Sequence, residues 1–444
     1  MEPQATAINS FTLAFALVAG VLVLFLNRRN AIVPFLFAAL LLPMNQGTTI
    51  GGINLYMLRI FILVGWARIT IRGEFRAFHL NTIDKILIAW VIMSIVSYTL
   101  LWQTGAALVN RLGIAYVALG VYFILRILIR DSDDVIFTIK VVAVLAVLVG
   151  TCMLGERYFG RNFFFYLGGV PEFTASRMGK LRCQGPFLHS ILAGTFGAIV
   201  IPLFVALQWK AGKWKKLEII GIVSALIIVL NSSSSAPVLT CLVGIVALLM
   251  WPFHRYIKVF RWVMLFLVIG LHMIMQAPVW ALVGRVRVFG GSTGYHRFNL
   301  IDQFLRRFED WWLVGVKSTG EWGHYLFDVS NMYVRIGVDG GLFNLLLFIA
   351  LIVFSFRNIG NHIISESTDS NVKKFYWGLG SALFVHTVSF MGSSYWDQII
   401  VMWYWTLAMI SSGSVSPAHI LNNSPVTVAA KNRSDKCKEI FVRG

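Results

Sequence analysis

Carboxylates are scarce in this chain. Across 444 residues Asp and Glu number 20 against 38 Lys and Arg, and charged residues of both signs make up only 13%. The motifs of common metal-dependent and hydrolytic enzymes are missing too: there is no HExxH, no GxSxG and no DxD-like pair to hold a divalent metal. The glycine-rich "GGSTG" (290–294) lacks the lysine and the strand-to-helix setting of a P-loop, and reads as a flexible turn. Four cysteines (Cys152, Cys183, Cys241, Cys437) are scattered without CxxC or metal-ligand spacing, which argues against a zinc site and a disulfide framework. The opening "MEPQATAINS" contains no basic stretch, so the apolar run behind it is expected to be an uncleaved span rather than a signal peptide.

What the chain has in abundance is apolar sequence. It is 57% hydrophobic with a mean hydropathy of +0.74, and runs near the ~20-residue spanning length recur from end to end. The expected fold is an all-α polytopic membrane protein. About thirteen spans are centred near residues 18, 37, 62, 93, 120, 146, 198, 224, 245, 272, 348, 384 and 406, the short, proline-containing second being re-entrant or a full span. Residues 1–414 form one transmembrane domain, followed by a polar tail, 415–444, expected to be disordered on the inside. A net charge of +18 would suggest nucleic acid in a soluble protein. Here roughly two-thirds of the cations fall in loops of one parity, such as "NRRN", "KAGKWKK" and "HRYIKVFR". The positive-inside rule explains that placement and puts the N-terminus outside, and nucleic-acid binding has no support.

The remaining third of the cations falls on the disfavoured side, in two long outer segments, 155–187 and 283–340. There arginine outnumbers lysine ten to two. The guanidinium fork suits bidentate contacts to phosphate or carboxylate and stays charged in poor solvent, so an outward anion site is expected, with contact to lipid phosphates as the alternative. In "YHRFNLIDQFLRRFEDWW" (295–312), Phe298, Ile301, Leu305, Phe308 and Trp312 recur at 3-4-3-4 spacing with Phe304 beside them, and Asn299, Asp302, Gln303, Arg306 and Glu309 fall mostly on the opposite face. That spacing predicts an amphipathic helix lying on the bilayer or capping a cavity. Arg297 sits at its N-terminal end, where backbone N–H groups also favour an anion. "SSSSAP" (232–237) either caps and packs helices or lines a polar cavity.

Three constellations share the outer compartment: "RCQGPFLHS" with Arg182 and His189, "YHRFNLIDQF" with Arg297, and "GEWGHYLFDVSNMYVRIGVDGGLFNLLLF" with Glu321, His324, Asp328, Asn331 and Tyr333. Gly185-Pro186 predicts a turn, with Pro186 in the first turn of the following helix and Arg182 at the mouth of that span. Arg177 and Lys180 lie just upstream. The order of these elements, Arg-x-x-Gly-Pro-Phe-x-His, then Arg-x-x-Leu-Ile, then Asn-x-Tyr-Val-x(5)-Gly-Gly-Leu, resembles the O-antigen ligase and polymerase superfamily of integral-membrane glycosyltransferases. The resemblance is strongest over about residues 175–360.

That resemblance implies a bundle of about twelve spans in the bacterial inner membrane and an active site facing the periplasm. It also implies a glycan donor carried on undecaprenyl diphosphate, a glycan or lipid-core acceptor, and membrane lipids as neighbours. By motif position Arg182 and Arg297 would hold the diphosphate, with Arg177 and Lys180 as less certain neighbours. His189, Asn331 and Tyr333 would be further substrate contacts. The family's third motif reads His-Asn where this chain has Ser330-Asn331, so the usual histidine base is absent. His324, Asp328 and Glu321 are the substitutes, in that order. Guanidinium groups in a site shielded by lipid can stabilise the charge of a departing diphosphate, so no metal or other cofactor is expected. A polymerase of repeat units is favoured over a ligase to lipid A-core because of Ser330, and a lipid flippase that forms no bond is the rival of a different class.

Overall fold

The computed structural model describes residues 6–50, 53–211, 215–282, 293–365 and 369–412. Arg285, Arg287, Cys437, most of "GGSTG" and the 415–444 tail lie outside them. The protein is an all-α polytopic membrane protein, 78% helical. Its only sheets among the described residues are two small hairpins, Gly47–Ile50 with Ile53–Tyr56 and Ser176–Arg177 with Lys180–Leu181.

A helix coincides with each of the thirteen expected span centres. Six are long and apolar enough to cross a membrane: Thr82–Trp102, Gly105–Leu128, Ser132–Phe159, Ser190–Lys210, Trp251–Ile274 and Met332–Ile364. Ser10–Phe25, Ser235–Leu249 and Gln398–Ser412 are apolar but shorter. Polar residues set their ends. Asn81 and Asp84 form a capping box on the fourth helix, Asp131 caps the sixth, and Gly73 and Gly160 close helices in the left-handed conformation. Arg59 looks like a charge in mid-span by sequence. Its helix begins at Met57, which places it in the first turn.

The two ends of the bundle differ. Residues 160–189, 231–235, 293–331 and 392–398 gather at one end, joined by bonds such as Gln398 Nε2 to the Pro186 carbonyl (2.8 Å) and Arg182 Nη2 to Ser234 Oγ (2.9 Å). At the opposite end Arg28 pairs with Asp134, and Arg68 pairs with Glu74 at 2.8 Å. Burial identifies the centre: 89% of the apolar stretch of Ser190–Lys210 is buried, and so is every residue of Gln398–Ser412 except the half-buried Ile400. These two helices therefore carry the site end on the least mobile part of the molecule. The Trp251–Ile274 span lies outside the bundle, with none of its length buried.

The helix Met332–Ile364 is broken at Gly341, whose φ of 77° and ψ of −177° are non-helical. The loop ahead of it fills the break: Leu342 N–H donates to the Trp312 carbonyl (2.7 Å) and Val316 N–H to the Val338 carbonyl (2.8 Å). Backbone groups within a bilayer must be satisfied inside the protein, and this exchange does so where the helix cannot.

The outer amphipathic helix also departs from its expected form. It runs Thr293–Arg306 and stops, because Arg307 adopts φ −98°, ψ 39° before a short turn, Phe308–Trp311. The break turns the second part away from a single 3-4-3-4 stripe. Leu300, Phe304 and Trp311 are the residues buried against the bundle, whereas Leu305, Phe308 and Trp312 stay exposed.

Candidate anion site

Four of the cations of segments 155–187 and 283–340 meet in one place. An open cavity of about 530 Å³, counting the space at its mouth, is lined by Arg177, Lys180, Arg182 and Arg297 with Ile191 and the Ser233–Ala236 segment. Both readings of "SSSSAP" are observed: Ser233–Ala236 line the cavity, while Ser232 bonds back to the Val229 carbonyl and packs with Pro237 closely on Gly194.

Local structure explains how each cation arrives. Arg177 and Lys180 face each other across the small hairpin, with Met178 and Gly179 both at positive φ in its two-residue turn. Like charges placed directly opposite repel, so this hairpin tip favours a bound anion. Arg182 follows as the chain enters the Gly185-Pro186 turn, and Gly185 has φ 57°. The turn is held from below. Glu156, 1% exposed, accepts from Gln184 N–H (3.0 Å), Gly185 N–H (2.9 Å) and Thr174 Oγ1 (3.1 Å). Asn162 Nδ2 donates to the Gly185 carbonyl and Arg157 to the Leu181 carbonyl, each at 2.7 Å. Pro186 therefore lies in this turn, four residues ahead of the helix that begins at Ser190, rather than in that helix's first turn. The reason is that Pro186 and the Leu188 N–H are both bonded to the 397–398 corner.

Glu156→Gln is a sharp test of that cradle. The amide would offer one acceptor where the carboxylate offers two, leaving a buried N–H without its partner at a cost of about 1–3 kcal/mol. The thermal midpoint in detergent should fall, and so should affinity for anions at the cavity. An unchanged midpoint would show that Glu156 does not hold the turn.

Arg182 and Arg297 are distinguished by what they lack. Elsewhere at this end Arg161 pairs with Glu172, Arg306 with Asp302, Arg307 with Asp310 and Arg335 with Asp339. Among the described residues Arg182 and Arg297 have no carboxylate partner, and each has a buried Nε without a hydrogen-bond partner. Arg182 donates only to Ser234 Oγ, and Arg297 Nη2 to the Gly392 carbonyl at 3.1 Å. Burial lowers the pKa of both guanidinium groups, and the Arg177 charge lowers that of Arg182 further. Half-desolvated cations with unused donors form a site that gains by taking up an anion.

His189 does not line the cavity but feels the charge of Arg182. Its Nδ1 accepts from the Ile191 N–H at 3.1 Å, and burial together with Arg182, opposed by Asp328, lowers its pKa to about 4. It is a neutral imidazole at pH 7, with Nε2–H free to act as a donor. Asn331 caps the Met332–Ile364 helix and bonds to the Met391 carbonyl (3.2 Å), while the Tyr333 hydroxyl donates to the Thr387 carbonyl (3.0 Å). Both fasten that helix to Ser370–Gly392 and are not among the residues lining the cavity. Glu321, His324 and Asp328 are exposed, with His324 edge-on to Tyr325. Of these three, only Asp328 acts electrostatically on His189. No group of three or more metal-ligating side chains occurs among the described residues.

One residue of the site end escapes sequence inspection altogether. Asp397, in "SSYWDQ", has a left-handed backbone (φ 59°) and accepts from the Leu188 N–H at 2.9 Å through Oδ2. Its Oδ1 is buried and has no hydrogen-bond partner. Compared with known proteins, the chain matches no family model and no curated sequence.

Proposed function

We propose that this protein is a membrane glycosyltransferase that moves a glycan from a polyprenyl diphosphate to an acceptor sugar hydroxyl, growing a surface or exopolysaccharide chain. The observation that carries this reading is the convergence of Arg177, Lys180, Arg182 and Arg297 on one open cavity at the end of a membrane bundle. Three of those four are arginines, and the two most buried lack carboxylate partners among the described residues. Such a cavity suits a diphosphate at the membrane boundary, with its prenyl chain in the bilayer.

The chemistry follows from the residues. Breaking the bond between the anomeric carbon and the diphosphate oxygen leaves charge on the phosphate oxygens. Arg182 and Arg297, fixed by Ser234 and the Gly392 carbonyl, offer their unused N–H groups to that charge without reorganising. The neutral His189 can donate to a phosphate or sugar oxygen. The basic end carrying Arg28, Arg29, Arg72 and Arg130 would face the cytoplasm under the positive-inside rule, leaving the cavity on the outer face of a bacterial inner membrane. Ser330 in place of the family's histidine favours polymerisation of repeat units over ligation to a lipid core.

Reconstitution with an undecaprenyl-diphosphate-linked repeat unit tests this reading. A ladder of lengthening chains is expected. Transfer to lipid A-core alone would identify a ligase instead, and movement of the lipid across the bilayer with no new glycosidic bond would overturn the enzyme reading.

A further inference from the structure

Four cations and no carboxylate line the cavity. A glycan carried on a polyprenyl diphosphate brings one negative charge per phosphate, which the half-buried Arg182 and Arg297 suffice to meet. We propose that Arg177 and Lys180 read an acidic glycan, one whose sugar next to the diphosphate carries a carboxylate. The inference rests on reading the cavity as the donor-diphosphate site.

The hairpin arranges three of the cations along a line. Arg177 pairs with Lys180 and Ser176 with Leu181, and the Arg182 N–H extends the ladder to the Ala175 carbonyl at 2.8 Å. Side chains alternate along a strand, so Lys180 and Arg182 share one face, and Arg177, directly opposite Lys180, joins them. All three line the cavity, as that shared face requires. Two residues of extended chain put Lys180 about 7 Å from Arg182 along the strand, comparable to one sugar residue. Arg182 is half-buried and tied to Ser234, whereas Arg177 and Lys180 are exposed. Arg157 fixes the base of the hairpin through the Leu181 carbonyl at 2.7 Å. A positive track therefore runs from a covered end suited to the diphosphate to an open end where its first sugar would lie.

The charges balance through the reaction. Cleavage adds one negative charge to the departing diphosphate, bringing it to three against the four cations of the lining. A single carboxylate on the sugar supplies the fourth. No acid of the lining does so instead. Glu156 is enclosed beneath the turn by two backbone N–H groups and a hydroxyl, and Glu172 pairs with Arg161. The exposed Glu309, Glu321 and Asp328 are not among the lining residues. Arg177 lies near enough to Arg182 for its charge to lower the pKa of that guanidinium. Like charges so placed repel, and a ligand with an anion at each end of the track relieves them along its whole length. At the open end Arg177 offers a planar fork that fits a carboxylate, and Lys180 adds a point charge.

A bilayer phosphate would meet the same two cations but would not distinguish one sugar from another, and that difference provides the test. Binding is measured for undecaprenyl diphosphate bearing glucose, galactose, glucuronic acid or galacturonic acid, each acid differing from its hexose only in the carboxylate. Wild type should bind at least one of the acids about tenfold or more tighter than its neutral counterpart, the worth of one charge-assisted contact. In Arg177→Gln/Lys180→Gln that preference should fall below about threefold, since an amide retains hydrogen bonding without charge. Both side chains are exposed, so the thermal midpoint of the variant should stay close to wild type and show that it is folded. Equal binding of acids and hexoses by wild type would overturn the proposal and leave the donor site standing. A preference that survives in the double variant would overturn it as well, because the acid would then be read elsewhere. Failure of wild type to bind any of the four lipids would remove the donor-site reading, and this inference with it.

Discussion

Replacing Arg182 or Arg297 with alanine should lower glycan transfer by at least about 100-fold while leaving the protein folded and inserted. Removing one preorganised donor from the charge that develops on a leaving oxygen typically costs 10²–10³ in rate. The structural cost should be small by comparison. Among the described residues each arginine side chain makes a single hydrogen bond, to Ser234 Oγ or to the Gly392 carbonyl, worth about 1 kcal/mol. Losing a half-buried cation without a carboxylate partner even relieves desolvation. Arg182→Lys and Arg297→Lys should fall between wild type and alanine, since a lysine keeps the charge but not the fork. Turnover in proteoliposomes, normalised to inserted protein, measures the effect. Wild-type rates in both alanine variants would mean that these arginines only touch bilayer phosphates.

Gly341→Ala should act through the fold instead, with a loss of about 2 kcal/mol or more. A side chain at φ 77° is strained wherever it sits. Here a Cβ would also lie 2.4 Å from the Leu313 carbonyl oxygen and 2.9 Å from that of Trp312, both backbone atoms that cannot swing aside. Relief would require pulling the 312–316 loop out of the helix break, exposing the backbone groups of Val338 and Leu342 that it satisfies. A lowered thermal midpoint and a smaller monodisperse fraction on size exclusion are expected. Gly360→Ala, in the same helix with open space around it, is the control and should change neither. Equal behaviour of the two variants would show that the break is not needed.

Much of the fold was legible because hydropathy reports directly on lipid. Each span centre drawn from apolar runs coincides with a helix, and the amphipathic pattern around Arg297 located a real outer helix. The arginine-rich segments 155–187 and 283–340 pointed to the four cations that line the cavity. Other features left no such trace. Periodicity does not show that Arg307 stops the helix carrying Arg297, so beyond the break Trp311 is buried in place of Phe308 and Trp312. The Gly340-Gly341 step was visible, but its meaning depends on the distant Trp312 carbonyl that meets it. "SSSSAP" fitted helix packing and a cavity wall, and only the placing of Arg182 beside Ser234 shows that it serves as both. Asp397 was invisible because its partner Leu188 lies more than 200 positions away in sequence.

The central claim is that the arginine cavity takes a lipid diphosphate. Binding of undecaprenyl diphosphate to the purified protein, in competition with undecaprenyl monophosphate and phosphatidylglycerol, tests it most directly. The account predicts saturable binding at one site, tighter for the diphosphate than for either single-phosphate lipid, weakened by salt and lost in the Arg182→Ala/Arg297→Ala double variant. Equal competition by phosphatidylglycerol, or binding unchanged in the double variant, would contradict it.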